Sequence, residues 1–151
     1  MKREPKWISK QAVLAFHEQL LSVHGGASGV LDEGLLDAAL ASPKNHFAYE
    51  RADTLRLAAA YAYSLTQNHP FADGNKRVAL TVAGVFMELN GFRLEATEQD
   101  AAQATRALSM RELSEVEFAD WLRTCSSKLS VARRGPLVKV LPKRRKQRKS
   151  Q

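Results

Sequence analysis

The sequence predicts an all-α domain of about six helices, followed by a basic tail. Apolar residues recur at helical spacing through most of the first 125 residues, and no segment of useful length alternates like a half-buried strand. Residues 126–151 contain ten Lys or Arg and no acidic residue, so this stretch repels itself. We therefore predict one domain over residues 1–125 and a disordered tail over residues 126–151.

The first two helices are placed by capping residues and by helix breakers. Ser9 is a suitable N-cap for a helix that runs to about His24, where a run of glycines breaks it. Asp32 caps a short second helix, which Pro43 is expected to stop. Within the segment from Ser42 to Asp53, residues 45–50 are then predicted to form a small, β-like extended flap.

Four more helices complete the predicted domain. The third runs from Thr54 to about Gln67, and the fourth from Lys76 to Asn90. The fourth is apolar nearly all round, which predicts burial on most sides and a place at the centre of the fold. Thr97 and Ser114, each with an acidic residue three positions later, mark the starts of the last two.

Charge and composition exclude several classes of function. The net charge is +7, but removing the ten positive charges of the tail leaves the first 125 residues at −3. Contact with nucleic acid is therefore expected only through the tail. No run approaches the roughly 18 apolar residues that cross a bilayer, and Cys125, the one cysteine, cannot form an intramolecular disulfide. A reducing cytoplasm is the expected location.

The segment from His69 to Arg77, His-Pro-Phe-Ala-Asp-Gly-Asn-Lys-Arg, carries the chemistry. It leads into the fourth helix, whose first amide groups have no partner within the helix and form an anion site. Gly74 lets the backbone approach a phosphate, and Asn75 can donate an amide hydrogen bond. Lys76 and Arg77 add positive charge.

The same segment supplies a base and a metal ligand. His69 can act as a general base toward a hydroxyl group. Asp73 is a hard oxygen ligand suited to a Mg²⁺ ion that bridges phosphates. Phe71 is expected to point inward and hold the loop. Together these residues predict phosphoryl or nucleotidyl transfer, driven by positioning and charge stabilisation.

At these positions the sequence resembles the Fic/Doc family, whose signature is His-x-Phe-x-Asp/Asn-Gly/Ala-Asn, followed by Lys-Arg in the Doc branch. Every position of that pattern from His69 to Arg77 matches, and the similarity extends over about Trp7 to Cys125. The resemblance implies a helical Fic fold with a flap that aligns the target segment. Phe47, Tyr49 and Glu50 are the flap residues expected to touch the target.

The resemblance also implies ATP as the substrate. Many relatives transfer AMP to a hydroxyl side chain, and their motif has a glycine and a second arginine where this chain has Lys76 and Leu80. The Doc branch implies that ATP binds in the opposite orientation to that in the AMP-transferring relatives and donates its terminal phosphate to a threonine of elongation factor Tu. Pro70 and Gly74 are more typical of the AMP-transferring branch, so AMP transfer stays as the alternative.

Two further expectations concern partners. Self-inhibited relatives carry a Ser/Thr-x-x-x-Glu helix, and no Ser or Thr in this chain has a Glu four residues later. A separate antitoxin, Phd-like or of another kind, is the expected restraint. The alternative from another class is a non-catalytic module that binds nucleic acid through its tail.

Overall fold

The computed structural model describes residues 3–130, which form six helices and one small antiparallel sheet. In chain order the elements are α1 (Lys10–His24), α2 (Glu33–Glu50), α3 (Thr54–Asn68), α4 (Asn75–Leu89), β1 (Phe92–Leu94), α5 (Glu98–Ser109), α6 (Glu115–Thr124) and β2 (Ser126–Lys128). The predicted helical architecture and the number of helices in this part of the chain are confirmed.

The capping residues read from the sequence mark the helix starts correctly. The side chains of Ser9, Asp32 and Thr97 each accept a hydrogen bond from the backbone N–H three residues later. Ser114 and Glu117 form a reciprocal capping box at the start of α6. These bonds involve only close neighbours along the chain, so local sequence was enough to predict them.

The predicted break at Pro43 and the extended flap after it are wrong. Helix α2 continues through Pro43 to Glu50, so Phe47, Tyr49 and Glu50 lie in its last turn. Phe47 faces the core and packs edge-on against Trp7, whereas Tyr49 is 85% exposed.

The buried hydroxyl of Ser64 explains why α2 tolerates its proline. Proline has no N–H, so the carbonyl of Ala39, four residues earlier, lacks its usual helical partner. Ser64 on α3 places its Oγ 2.8 Å from that carbonyl oxygen and equally close to the oxygen of Ala60. The Ala60 carbonyl already accepts the N–H of Ser64 within its own helix. The Ala39 carbonyl has no such helical donor, so the Ser64 hydroxyl supplies its hydrogen bond.

Replacing Ser64 with alanine is expected to lower the free energy of unfolding by about 1–3 kcal/mol, the cost of leaving a buried acceptor unsatisfied. Pro43→Ala supplies the missing N–H, so the same substitution should cost about 1 kcal/mol less in that background. Urea unfolding of the four proteins in this double-mutant cycle measures the difference. An equal loss of unfolding free energy in both backgrounds would show that Ser64 does not stabilise the helix through its hydrogen bond to the Ala39 carbonyl.

Helix α3 shares the centre of the fold with α4. It packs against α2, α4, α5 and α6, and its alanines allow those helices to approach closely. The largest fully buried side chains come from both central helices and from the elements around them: Tyr61, Phe71, Phe86, Phe118, Leu36, Leu57 and Leu65. Burial raises the pKa of Tyr61 to about 12, and its hydroxyl oxygen accepts the N–H of Ile8 at 3.1 Å. The predicted burial of α4 is therefore correct, but α4 shares the centre of the fold with α3.

The domain extends beyond the predicted boundary at Cys125. Strands β1 and β2 pair antiparallel, with Arg93 opposite Ser127. Leu129 is 8% exposed and donates its N–H to the carbonyl of Gly91. Ser126 to Leu129 therefore belong to the folded domain, and the predicted tail lies outside the described residues from position 131 onward.

Two further observations concern residues 3–130. No helix in this range is long and apolar enough to cross a membrane. Burial raises the pKa of the Cys125 thiol to about 11, so the thiol is protonated near neutral pH and is a weak nucleophile.

Candidate active site

The motif predicted from the sequence forms the loop between α3 and α4. His69 caps the C-terminus of α3 in the left-handed conformation, with φ 52°. Gly74 is the N-cap of α4 with φ 81°, a conformation that glycine adopts without steric cost. The loop is therefore bounded by the ends of the two central helices, which fix it on both sides.

Buried contacts hold the middle of this loop. Phe71 is fully buried, as predicted, and its backbone pairs antiparallel with that of Val30. Beside it, Leu31 donates its N–H to the carbonyl of Pro70, and Ala72 donates to the carbonyl of Gly29. The segment that lies against the motif loop is thus residues 29–32, before α2.

The side chain of Asn75 is a buried clamp within the loop. It is 4% exposed. Its Oδ1 accepts the N–H of Phe71, and its Nδ2 donates to the carbonyl of Phe71, both at 3.0 Å. Because the side chain is engaged inside the loop, its contribution to an anion site would come from its backbone N–H.

Asn75 also sets the state of the His69 ring. With its Oδ1 fixed by the Phe71 N–H, Nδ2 lies 3.1 Å from Nδ1 of His69 and can only donate. Nδ1 therefore accepts, and the neutral ring carries its proton on Nε2. A His69 that accepts a proton at Nε2 must first release this bond to Asn75.

The Asp73 carboxylate lies at the exposed edge of the loop. Its Oδ1 accepts the N–H of Gly74 at 2.9 Å, and its Oδ2 lies 3.4 Å from the N–H of Ala27. A Cβ on Gly26 would come within 2.7 Å of Oδ2. Gly26 therefore leaves the space that the carboxylate occupies.

The N-terminus of α4 is open toward a cavity. The other five helices each have a side-chain cap, but α4 has none and no acidic residue in its first turn. Lys76 and Arg77 are exposed there, and neither forms an ion pair with another residue in the range 3–130. Free N–H groups, the helix dipole and two cations make this a site for a multiply charged anion.

The cavity brings the predicted catalytic and phosphate-binding residues together. Its volume is about 410 Å³, within the range of small-molecule sites. It is lined by His69, Asp73, Gly74, Asn75, Lys76, Arg77, Leu80, Ala102 and Thr105. A neighbouring cavity shares Arg77, Leu80 and Ala102 with this one and is also lined by Leu20 and Gln99.

Comparison with known proteins assigns the chain to a family. The family model described as the Fic/DOC family matches residues 7–87. A relative named "Protein kinase doc", from Escherichia phage P1, is 32% identical over 117 residues, which cover 77% of this chain and 92% of the relative. The chain belongs to the Fic/Doc family. Its similarity to the phage protein and to "Toxin Doc" of Mycolicibacterium smegmatis, 45% identical over 76 residues that cover 48% of this chain and 57% of the relative, places it in the Doc branch.

The flap residues predicted from sequence do not join the cavity of this Fic/Doc domain. Helix α2 contacts the motif loop through its N-terminal end, where Asp32 donates its N–H to the Pro70 carbonyl and Leu35 accepts from Asn68. Its 18 residues span about 27 Å. Tyr49 and Glu50 therefore lie at the end of α2 that is remote from the motif.

Two residues that support the Fic/Doc loop could not be assigned this role from the sequence. In the sequence, Gly26 is one member of the glycine run that breaks the first helix, and no ligand spacing marks His17. His17 is 3% exposed, stacks on Phe71, and places Nε2 2.8 Å from the carbonyl oxygen of Asp73. The sequence shows a histidine on the apolar face of an amphipathic helix. This pattern predicts that the side chain is buried, but it does not predict which distant residue the histidine contacts.

Proposed function

We propose that this protein is an ATP-dependent phosphotransferase that phosphorylates a Ser or Thr hydroxyl of a target protein. The observation that carries the proposal is that His69 and Asp73 line the same cavity, beside the uncapped N-terminus of α4. The name "Protein kinase doc" of the phage relative supports the same reaction.

Each charged group has a role in this reaction. The N–H groups of the first turn of α4 bind phosphate oxygens, and Lys76 and Arg77 neutralise the charge that develops on the transferred group. Arg77 can bind two oxygens at once through its planar guanidinium. The rate enhancement rests on holding the two reactants in line within a positively charged site.

His69 accounts for the proton. The target hydroxyl oxygen forms a bond to the γ-phosphorus of ATP, the bond from that phosphorus to the β-phosphate oxygen breaks, and ADP leaves. The hydroxyl proton passes to a nitrogen of His69. Because Nδ1 accepts from Asn75 in this structure, binding of the target must be accompanied by loss of that hydrogen bond.

The residues present suit a Mg²⁺ ion that is shared with the phosphates. Among the described residues, no three His, Cys, Asp or Glu side chains gather into a site that could hold a metal by themselves. Asp73 offers an exposed carboxylate at the edge of the anion site, and Mg²⁺ commonly takes one or two carboxylates, with water and phosphate oxygens completing its shell. When bound, the ion would neutralise charge on the phosphate chain.

Two cavity residues favour transfer of the terminal phosphate over transfer of AMP. The AMP-transferring motif has a glycine and an arginine where this chain has Lys76 and Leu80, and both of these side chains line the cavity. Leu80 offers no charge to a phosphate. Lys76 adds bulk next to the α4 N-terminus, where the inner phosphates would otherwise lie.

We further propose that the protein is a cytoplasmic toxin that stops translation by phosphorylating elongation factor Tu, restrained by a separate antitoxin. The relatives named "Protein kinase doc" and "Toxin Doc" support a toxin. The lack of a Ser/Thr-x-x-x-Glu sequence supports restraint by another protein.

Intact-mass spectrometry of elongation factor Tu, incubated with the protein, ATP and Mg²⁺, tests the proposal. We expect a gain of about 80 mass units, one phosphate in place of a hydrogen, with no gain when His69→Ala replaces the native protein. A gain equal to AMP would overturn the kinase in favour of AMP transfer. No gain on elongation factor Tu, with a phosphoprotein appearing in whole lysate, would keep the reaction but reject this target.

Expression in growing cells separates the enzyme from a non-catalytic binder. Growth arrest that disappears with His69→Ala supports catalysis. Arrest that survives this substitution but disappears when residues 143–151 are deleted would instead support binding through the tail.

A further inference from the structure

His17 on α1 contacts the motif loop at two residues, and neither contact has a role in the proposed reaction. Its ring stacks on Phe71, with centroids 3.9 Å apart and an angle of 16° between the planes. Its Nε2 lies 2.8 Å from the backbone carbonyl oxygen of Asp73. A histidine buried to this extent is held by the fold, so its hydrogen bond is well placed to fix the loop.

This bond determines which way the peptide between Asp73 and Gly74 faces. A carbonyl oxygen can only accept, so Nε2 of His17 carries the proton. No peptide bond in the described chain is cis, and in a trans peptide the C=O and N–H point in opposite directions. With the Asp73 carbonyl directed at α1, the Gly74 N–H points away from α1 and reaches Oδ1 of Asp73 at 2.9 Å.

Gly74 itself does not resist a reversal of this peptide. Turning it over changes ψ of Asp73 and φ of Gly74, and glycine accepts positive and negative φ at similar cost. Gly74 lines the cavity at the N-terminus of α4. A reversed peptide would therefore turn a carbonyl oxygen, the negative end of its dipole, toward the place where an anion is expected.

We propose that His17 is a positioning residue that locks the Asp73–Gly74 peptide in one orientation. Its carbonyl is held by α1 and its N–H by the Asp73 carboxylate, so that no carbonyl oxygen turns toward the anion site. The lock follows from the geometry of the loop alone, and its effect on nucleotide binding rests on the proposed function. The Phe71 contact orients the ring, and the Nε2–H supplies the lock.

Two substitutions separate these contributions. His17→Phe keeps an aromatic ring against Phe71 but removes the donor, whereas His17→Gln keeps an N–H at the position of Nε2 and removes the ring. We expect the amide signal of Gly74 in ¹⁵N-labelled protein to shift or split in the Phe variant and to stay close to wild type in the Gln variant. The dissociation constant for MgATP should rise about tenfold in the Phe variant, which is the worth of one hydrogen bond of roughly 1.4 kcal/mol, and recover in the Gln variant. KM for ATP should rise together with this dissociation constant in the Phe variant, and kcat should change less.

The readouts distinguish failure of the lock from failure of the proposed function. An unchanged Gly74 signal in the Phe variant, or a Gln variant that behaves like the Phe variant, would overturn the lock. A shifted Gly74 signal in a protein that never binds MgATP would keep the lock and reject the nucleotide. If the Phe variant does not fold, the scalar coupling across the hydrogen bond from His17 Nε2 to the Asp73 carbonyl carbon decides the matter in wild-type protein, because its absence would contradict the bond.

Discussion

Replacing His69 with alanine is expected to reduce phosphoryl transfer by about 10²–10⁴-fold, the usual contribution of a general base. The side chain is exposed, so its loss removes little packing. The expected result is a lower kcat with little change in KM for ATP, because the phosphate-binding groups at the start of α4 remain. Single-turnover measurements with ³²P-labelled ATP separate the two parameters.

The backbone at His69 requires a control for strain. Its φ of 52° is costly for alanine but tolerated by asparagine. His69→Asn keeps the conformation and, like alanine, cannot act as a base. Equal losses in the two variants, with melting temperatures close to wild type, would assign the effect to chemistry; an Asn variant with full activity would remove His69 from the catalytic role.

Gly26→Ala is expected to cost about 10²-fold in activity, although residue 26 lies outside the motif. A Cβ at this position would come within 2.7 Å of Oδ2 of Asp73, so the carboxylate must move. A displacement of about 1 Å in a positioned group can cost that factor. The Mg²⁺ concentration needed for half-maximal activity should rise at the same time, and a titration of activity against Mg²⁺ measures it.

Gly25→Ala is the matched control for this substitution. Gly25 also has a positive φ, 79° against 122° at Gly26, but apart from its two chain neighbours no residue has an atom within 4 Å of the position of its Cβ. Both variants therefore incur backbone strain of about 1–3 kcal/mol, and only Gly26→Ala contacts Asp73. Equal loss of activity in the two variants, measured below both melting temperatures, would show that strain in the loop rather than the position of Asp73 is responsible.

The sequence predicted those features of the fold that depend on near neighbours. Each capping side chain bonds a residue three positions away, so the helix starts could be predicted from local sequence. The main site residues could be predicted as well, because the motif contains its cations and Asp73 within nine residues. Pro43 shows the limit. Its helix survives because Ser64 on another helix reaches the Ala39 carbonyl, 25 positions away along the chain, and no local pattern announces that bond.

The same limit applies to the groups that support the site. His17 is 56 positions from the Asp73 carbonyl that it contacts, and Gly26 is one of several glycines in a run whose sequence looks like an ordinary helix break. The sequence predicts the extended segment at residues 45–50, because proline usually ends a helix. The segment that pairs with the motif loop is instead residues 29–32, since the loop offers them backbone hydrogen bonds.

The short sheet has a practical consequence for handling the protein. Strand β2 lies beside the first residues of α3, and Arg123 holds Asp53 at that end, whereas His69 caps the other end of the same helix. The 15 residues of α3 separate the two by about 22 Å. A purification tag, a surface linker or a fluorescent label joined just after Ser130 would therefore start well away from the cavity, and a fused inhibitor would need at least about seven extended residues to reach it.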